Sequence, residues 1–278
     1  MRLDIGAYNT LTATRSTPQG LYLSSGVQEV LLPSRFVTDE MEVGSELEVF
    51  VLFDSEERPV ATTQKPYGVV GDIVSLRVVG VAPFGVFLDW GLEGKDLFLP
   101  KPLQRKPVEE GDKCVVRIEV DQVTERLIGN PKIERYLDEV PDEVMHLDQE
   151  VEALAYDRTP LGFSCMVDRK YSGMLYHNEV FRDIQVGDLL KAHVRQLRED
   201  GKLDLSLRKS GFDGLKGQEK EIMEKLERAG GFLPYNDGSD PQAIRDEFQM
   251  SKKSFKKLIG VLYRQQLIDI THKGIKMA

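Results

Sequence analysis

Two phenylalanines three residues apart, Phe84 and Phe87, stand either side of a glycine in APFGVFLDWG, residues 82 to 91, and the only tryptophan, Trp90, follows. Flat rings set close together on a surface strand stack on nucleobases whatever their sequence, at about 1–3 kcal/mol per base. A second group lies near the C-terminus, where Lys252, Lys253, Lys256 and Lys257 crowd into SKKSFKK. Ammonium groups at that density neutralise backbone phosphates. The alternative is a solvated face on a surface helix. No Arg or Asn stands among them for bidentate contacts to base edges, so sequence-specific readout is not expected there.

The residue types that carry out reactions are not arranged to do so. His146, His177, His193 and His272 are scattered, and no H-E-x-x-H, Walker loop or glycine-rich dinucleotide turn is present. Cys114 and Cys165 lie far apart without His or Cys neighbours at metal spacing, which predicts two buried free thiols in a reducing compartment. The expectation is therefore a protein without catalytic residues, metal or cofactor.

Charge is unevenly distributed. The net charge of −9 argues against wholesale coating of nucleic acid, and residues 1–210 carry 25 basic against 36 acidic side chains. From Met250 onward the balance reverses, with seven Lys/Arg and one acid, Asp269. A basic stripe on an acidic body gives a directed attraction for phosphates. No run of 18 apolar residues occurs, and Asp4, Asn9 and Arg15 interrupt the first residues, so neither a membrane span nor a signal peptide is expected.

The elements that must position these residues recur. GDIVSLRVVGV alternates apolar and polar residues; PFGVFLDW, KDLFLP, EEGDKCVVRIEV and the hairpin DQVTERLIG follow as short strands. Five strands in about 65 residues without a long helix make a small closed barrel of the OB type. The same order is readable upstream, from QGLYLSSG, and downstream, from LGFSCMVD. A glycine opens strand two in each copy (Gly20, Gly85, Gly162) and another precedes strand four (Gly44, Gly111, Gly187), at spans of 24, 26 and 25 residues. After DLSLRKSG the period becomes helical. Ile222, Met223 and Leu226 form a stripe ending at Gly230-Gly231. Asp240 and Pro241 start a second helix, Ser251 caps a third, and two strands turn at Lys273-Gly274. That is the order of a winged helix-turn-helix. The expected class is mainly β with an α+β C-terminal domain: barrels at 1–65, 66–138 and 139–210, with NPKIERYLDEVPDEV linking the last two, then a winged helix at 211–278.

FGVFLDWG, the Gly-Asp ahead of strand four and the following hairpin resemble the S-one domain, the RNA-binding barrel first named in the largest ribosomal small-subunit protein. DWGLEGKDLFLP, together with GFLPYNDGSDPQAIRDEFQMSKKSFKKLIGVLYRQQLI, is similar to the bacterial conserved virulence factor B family. The resemblance covers essentially the whole chain. It implies tandem S-one-type barrels, a winged helix and a role as an RNA-binding regulator of gene expression in the cytoplasm.

Phe84 and Phe87 match the two aromatics with which S-one domains stack bases. Residues three apart on a strand point to opposite faces, so one of the pair is expected in the core unless Gly85 kinks the strand or Phe84 belongs to the preceding loop. Trp90 is expected to pack at a barrel end. In the third barrel Leu161 and Ser164 replace the two aromatics, with Phe163 between them; Tyr176 falls where the family has histidine, followed by His177. Arg195, Arg198 and Lys202 lie near the family's basic positions. The first barrel retains Tyr22. The expected partner is single-stranded RNA bound by a monomer on barrel aromatics and helix lysines, with DNA as a further candidate. The alternative is a scaffold contacting proteins of the translation or RNA-decay machinery.

Overall fold

Alternation of inward apolar and outward polar residues closes three sheets into three five-stranded barrels. The computed structural model describes every residue except 1, 55, 142, 143, 181 and 210, and for 211–216 the backbone alone. Barrel 1 comprises β1 (Ala7–Thr17), β2 (Gly20–Ser24), β3 (Glu29–Pro33), β4 (Glu46–Phe53) and β5 (Pro59–Thr62). Barrel 2 comprises β6 (Ile73–Ala82), β7 (Gly85–Leu92), β8 (Lys95–Pro100), β9 (Lys113–Val120) and β10 (Leu127–Asn130). Barrel 3 comprises β11 (Glu150–Arg158), β12 (Gly162–Val167), β13 (Tyr171–Tyr176), β14 (Leu189–Leu197) and β15 (Leu203–Ser206). In each, the first strand lies antiparallel between the second and fourth, and the third meets the fifth in parallel.

The recurrent glycines have one physical reason each. At Gly20, Gly85 and Gly162 a Cβ would lie 2.0, 2.5 and 2.1 Å from the carbonyl oxygen of Leu32, Leu99 and Leu175 on the facing strand. Only a residue without a side chain lets the backbones approach so closely. At Gly44, Gly111 and Gly187 the backbone is left-handed (φ 97°, 93° and 90°). Their amides donate to the carbonyls of Ala13, Val78 and Ala155, where the first strand of each barrel bulges. A bulge bends the strand and lets it pair on both sides of a closing barrel.

The chain divides into two compact units, Met1–Arg135 and Tyr136–Ala278. In the first, β4 serves two cores: Val49 and Val51 face barrel 1, whereas Phe50 and Leu52 join the core of barrel 2 with Leu88, Trp90 and Val116. The expected linker 130–144 includes a short 3-10 helix, Ile133–Tyr136, with Ile133 fully buried; its residues 142 and 143 lie outside the described residues.

The second unit holds barrel 3 and the winged helix: α1 (Gly211–Arg228), β16 (Phe232–Leu233), α2 (Pro241–Phe248), α3 (Lys252–Arg264), β17 (Ile268–Thr271) and β18 (Gly274–Met277). β16 adds a third strand to the hairpin expected from sequence. Asp240 caps α2 by accepting from the amides of Gln242 and Ala243, and Ser251 caps α3 by accepting from Ser254. Phe255, Leu258, Ile259 and Leu262 face the core with Ile222, Leu226, Ile244 and Phe248. Within this unit, the Arg208 guanidinium, which follows β15, donates to the carbonyls of Phe248 and Gln249 at 3.1 and 2.7 Å. It thereby satisfies the C-terminal end of α2.

Candidate nucleic-acid interface

The middle barrel assembles its aromatics on one outer face. Phe84 sits in the turn before β7, not on the strand, so strand parity does not apply to it. It is 61% exposed, and Phe87 points outward between Val86 and Leu88, which are 2% and 0% exposed. Neither phenylalanine is core: Phe84 belongs to the preceding loop, the exception under which the pair need not divide between the two faces. A third ring completes the group: Phe98 on β8 lies directly across from Phe87 in register. The ring centroids are 6.3 Å (Phe84–Phe87), 5.7 Å (Phe84–Phe98) and 5.5 Å (Phe87–Phe98) apart. A Cβ on Gly85 would come within 2.5 Å of the Phe98 ring, so the same glycine that closes the barrel also gives Phe98 its place. Phe98 was missed, although its signal is present: Leu97 and Leu99 on either side are inward, so the residue between them is outward.

Trp90 is packing, as expected. It is 3% exposed, donates its indole N–H to the Gly68 carbonyl at 2.9 Å, and meets Phe50 edge-on at 5.4 Å. In barrel 1, Tyr22 faces outward opposite Leu31, but the Arg15 guanidinium lies 3.4 Å from its ring centroid. Arg15 also pairs with Glu29 at 3.5 Å. That ring face is covered by a cation, so a base would have to displace or sandwich the guanidinium.

In barrel 3, Phe163 is 3% exposed and belongs to the core. It offers no face for stacking, and its place among the candidates is corrected: alternation turns Ser164, not Phe163, outward. His177 is exposed, lies edge-on to Phe163 at 5.7 Å, and places Nε2 3.1 Å from the Thr159 carbonyl. Tyr176 is half-buried and, with Arg195, lines a groove of about 490 Å³. Arg198 and Lys202 are on the β14–β15 hairpin and do not line this groove; both pair with Asp200, at 3.2 and 3.3 Å.

The four lysines occupy the first turns of α3. Lys253, Lys256 and Lys257 are exposed and Lys252 is half-exposed. Lys256 pairs with Asp237 at 3.3 Å, a compensating acid that lies outside the segment and was not legible within it. The positive N-terminal end of the helix adds to the field of these ammonium groups.

Burial pushes the Cys114 thiol up to about 11, with Asp112 adding to the rise, and the Cys165 thiol up to about 12. Both are buried and free, and thiols held protonated are poor nucleophiles and ligands. Among the described residues no group of three or more His, Cys, Asp or Glu could hold a metal ion. No described helix is long and apolar enough to cross a membrane.

Barrels of this topology followed by a winged helix define a chain of tandem OB-type, S1-like modules. Family models bear this out: an S1 domain matches residues 5–64 and a CvfB-like winged helix domain matches residues 220–277. The S1 match falls on barrel 1, where the motifs are least distinct. The chain is 28% identical over 246 residues to conserved virulence factor B of Staphylococcus saprophyticus, covering 84% of this chain and 79% of that protein. It is 27% identical over 265 residues to a Bacillus subtilis protein described as uncharacterized protein YitL, covering 93% and 89%. A solved multidomain protein with nucleic acid binding domains from Streptococcus pneumoniae is 24% identical, with 99% and 98% coverage and a TM-score of 0.49. The chain is thus similar to the conserved virulence factor B proteins along most of its length, as its motifs implied.

Proposed function

We propose that this chain binds single-stranded RNA, with the middle barrel as its principal stacking platform and the α3 lysines as phosphate contacts. The observation that carries this reading is the group of Phe84, Phe87 and Phe98, three mutually touching rings on an outer barrel face, one of them 61% exposed. Large exposed aromatics are costly on a surface that has no flat partner to cover them. The S1 and winged-helix matches support nucleic acid as that partner. Tyr176, with Arg195, is the corresponding contact on barrel 3, and Tyr22 on barrel 1 is a subsidiary one. A role in regulating gene expression in the cytoplasm follows from the family resemblance, and nothing in the reading requires catalysis.

The test is filter binding of oligo(U) and oligo(A) to the full chain at two salt concentrations. Micromolar, salt-sensitive binding supports the reading. A protein scaffold is the second reading, favoured by the net charge of −9 and by the pairing of Arg198, Lys202 and Lys256 with the chain's own acids. No salt-sensitive binding at micromolar protein would leave the scaffold standing alone.

A further inference from the structure

The groove on barrel 3 differs from the corresponding faces of the other two barrels in one residue above all. Where the third strand meets the fifth in parallel, barrel 1 pairs Leu31 with Val60 and barrel 2 pairs Phe98 with Ile128. Barrel 3 pairs Met174 with Asp204. A carboxylate thus stands where the other copies carry a branched apolar side chain. Its neighbours Leu203 and Leu205 point into the core, so Asp204 points outward into the groove.

Among the described residues the Oδ1 of Asp204 receives no hydrogen bond and is shielded from solvent. A shielded acceptor without a donor is costly and calls for an explanation. Around it the groove offers a ring, amide groups and two further carboxylates, those of Asp148 and Glu179. Tyr176 supplies a ring at one wall, and Asn178 and Gln196 supply amides. β14 bulges between Val194 and Gln196, directly opposite Asp204, so that Arg195 and Gln196 are both exposed on the groove side of the inward Val194. No such bulge interrupts the corresponding strand pairs of barrels 1 and 2.

We propose that this groove takes one nucleotide of a bound strand and selects a base with an exocyclic amino group, whose N–H donates to Asp204. The inference rests on the nucleic-acid-binding reading above. A carboxylate accepts from the amino group of cytosine; uracil presents a carbonyl oxygen at the same position, and two acceptors repel. Tyr176 stacks on the base and Arg195 faces the adjoining phosphate. A preference of about tenfold for oligo(C) over oligo(U) is expected from one such contact.

The experiment measures fluorescence anisotropy of labelled oligo(C) and oligo(U), each as RNA and as DNA, with the full chain, Asp204→Asn and Asp204→Ile. Asp204→Ile installs the residue type of the middle barrel, and thermal melts show that both variants fold. The expected result is a C-to-U affinity ratio of about ten, falling towards one in both variants. Using the ratio cancels the general gain in affinity from removing a negative charge. A ratio that Asp204→Asn leaves unchanged, or a wild-type ratio near one, overturns the inference. So does a change confined to the RNA-to-DNA ratio, which would make the ribose hydroxyl the donor. Phe84→Ala should weaken both oligonucleotides equally and keep their ratio. If no oligonucleotide binds at all, the broader reading falls with this one; if binding holds but the ratio does not respond, only this one falls.

Discussion

Replacing Phe84 with alanine separates binding from folding more cleanly than any other substitution on the platform. The ring is 61% exposed and sits in a turn, so its removal strips little buried surface. What folding loses are its ring contacts with Phe87 and Phe98, together about 1 kcal/mol. Binding loses the stacking of one base, about 1–3 kcal/mol, or about 5- to 150-fold in affinity. Since no charge changes, the slope of log affinity against log salt should stay the same. Titration of labelled oligonucleotide at several salt concentrations reads both quantities, and circular dichroism melting confirms the fold. Wild-type affinity in Phe84→Ala and also in Phe87→Ala, with both proteins folded, would refute the platform.

Gly85→Ala should do the opposite. Its Cβ would meet the Leu99 carbonyl and the Phe98 ring, each at 2.5 Å. The cost is about 1–3 kcal/mol of stability or more, read by urea denaturation, with the platform disturbed as well. Gly260→Ala on α3, where a Cβ would meet nothing within 4 Å, should stabilise the winged helix by up to about 1 kcal/mol. Changing Lys252, Lys253 and Lys257 together to glutamine should flatten the salt slope by about 0.7 per lysine lost from phosphate contact. Lys256→Gln should change it less, because Asp237 already holds that ammonium group. Cys114 and Cys165 keep their protons in the folded chain up to about pH 11 and 12, against an ordinary value of 9.0. Their contribution to stability is therefore complete below pH 9 and declines as pH rises through 11, where the unfolded chain has released both protons. Urea titrations between pH 8 and 11, compared with Cys114→Ala and Cys165→Ala, measure that slope.

Repetition made the barrels legible. A glycine that must clear a facing carbonyl and another that must turn left-handed before strand four leave fixed marks at fixed spacing, and both recur three times. Helix caps were readable for the same local reason: Asp240 and Ser251 act on amides two or three residues away. The site was less legible because its deciding contacts are side-chain pairings that leave no pattern in the sequence, whether they are remote or local. Arg15 covers Tyr22, and Asp237 reaches Lys256. Asp200 draws off Arg198 and Lys202 from within the hairpin itself. None of these pairings has a period. Phe163 and Phe98 were open to strand parity, which places the first inside and the second outside; matching positions to a family pattern led away from both.

The apolar run VFVLF, residues 49–53, lacks the alternation of its neighbours because β4 is covered on both faces. Its alternate residues Phe50 and Leu52 are therefore structural property of barrel 2, although barrel 1 supplies the strand. A fragment beginning after residue 65 would leave Trp90 without Phe50 and expose the indole that now lies edge-on to it. The first two barrels should therefore unfold in one cooperative transition, which calorimetry would show as a single peak. Expressed separately, each would carry a greasy scar.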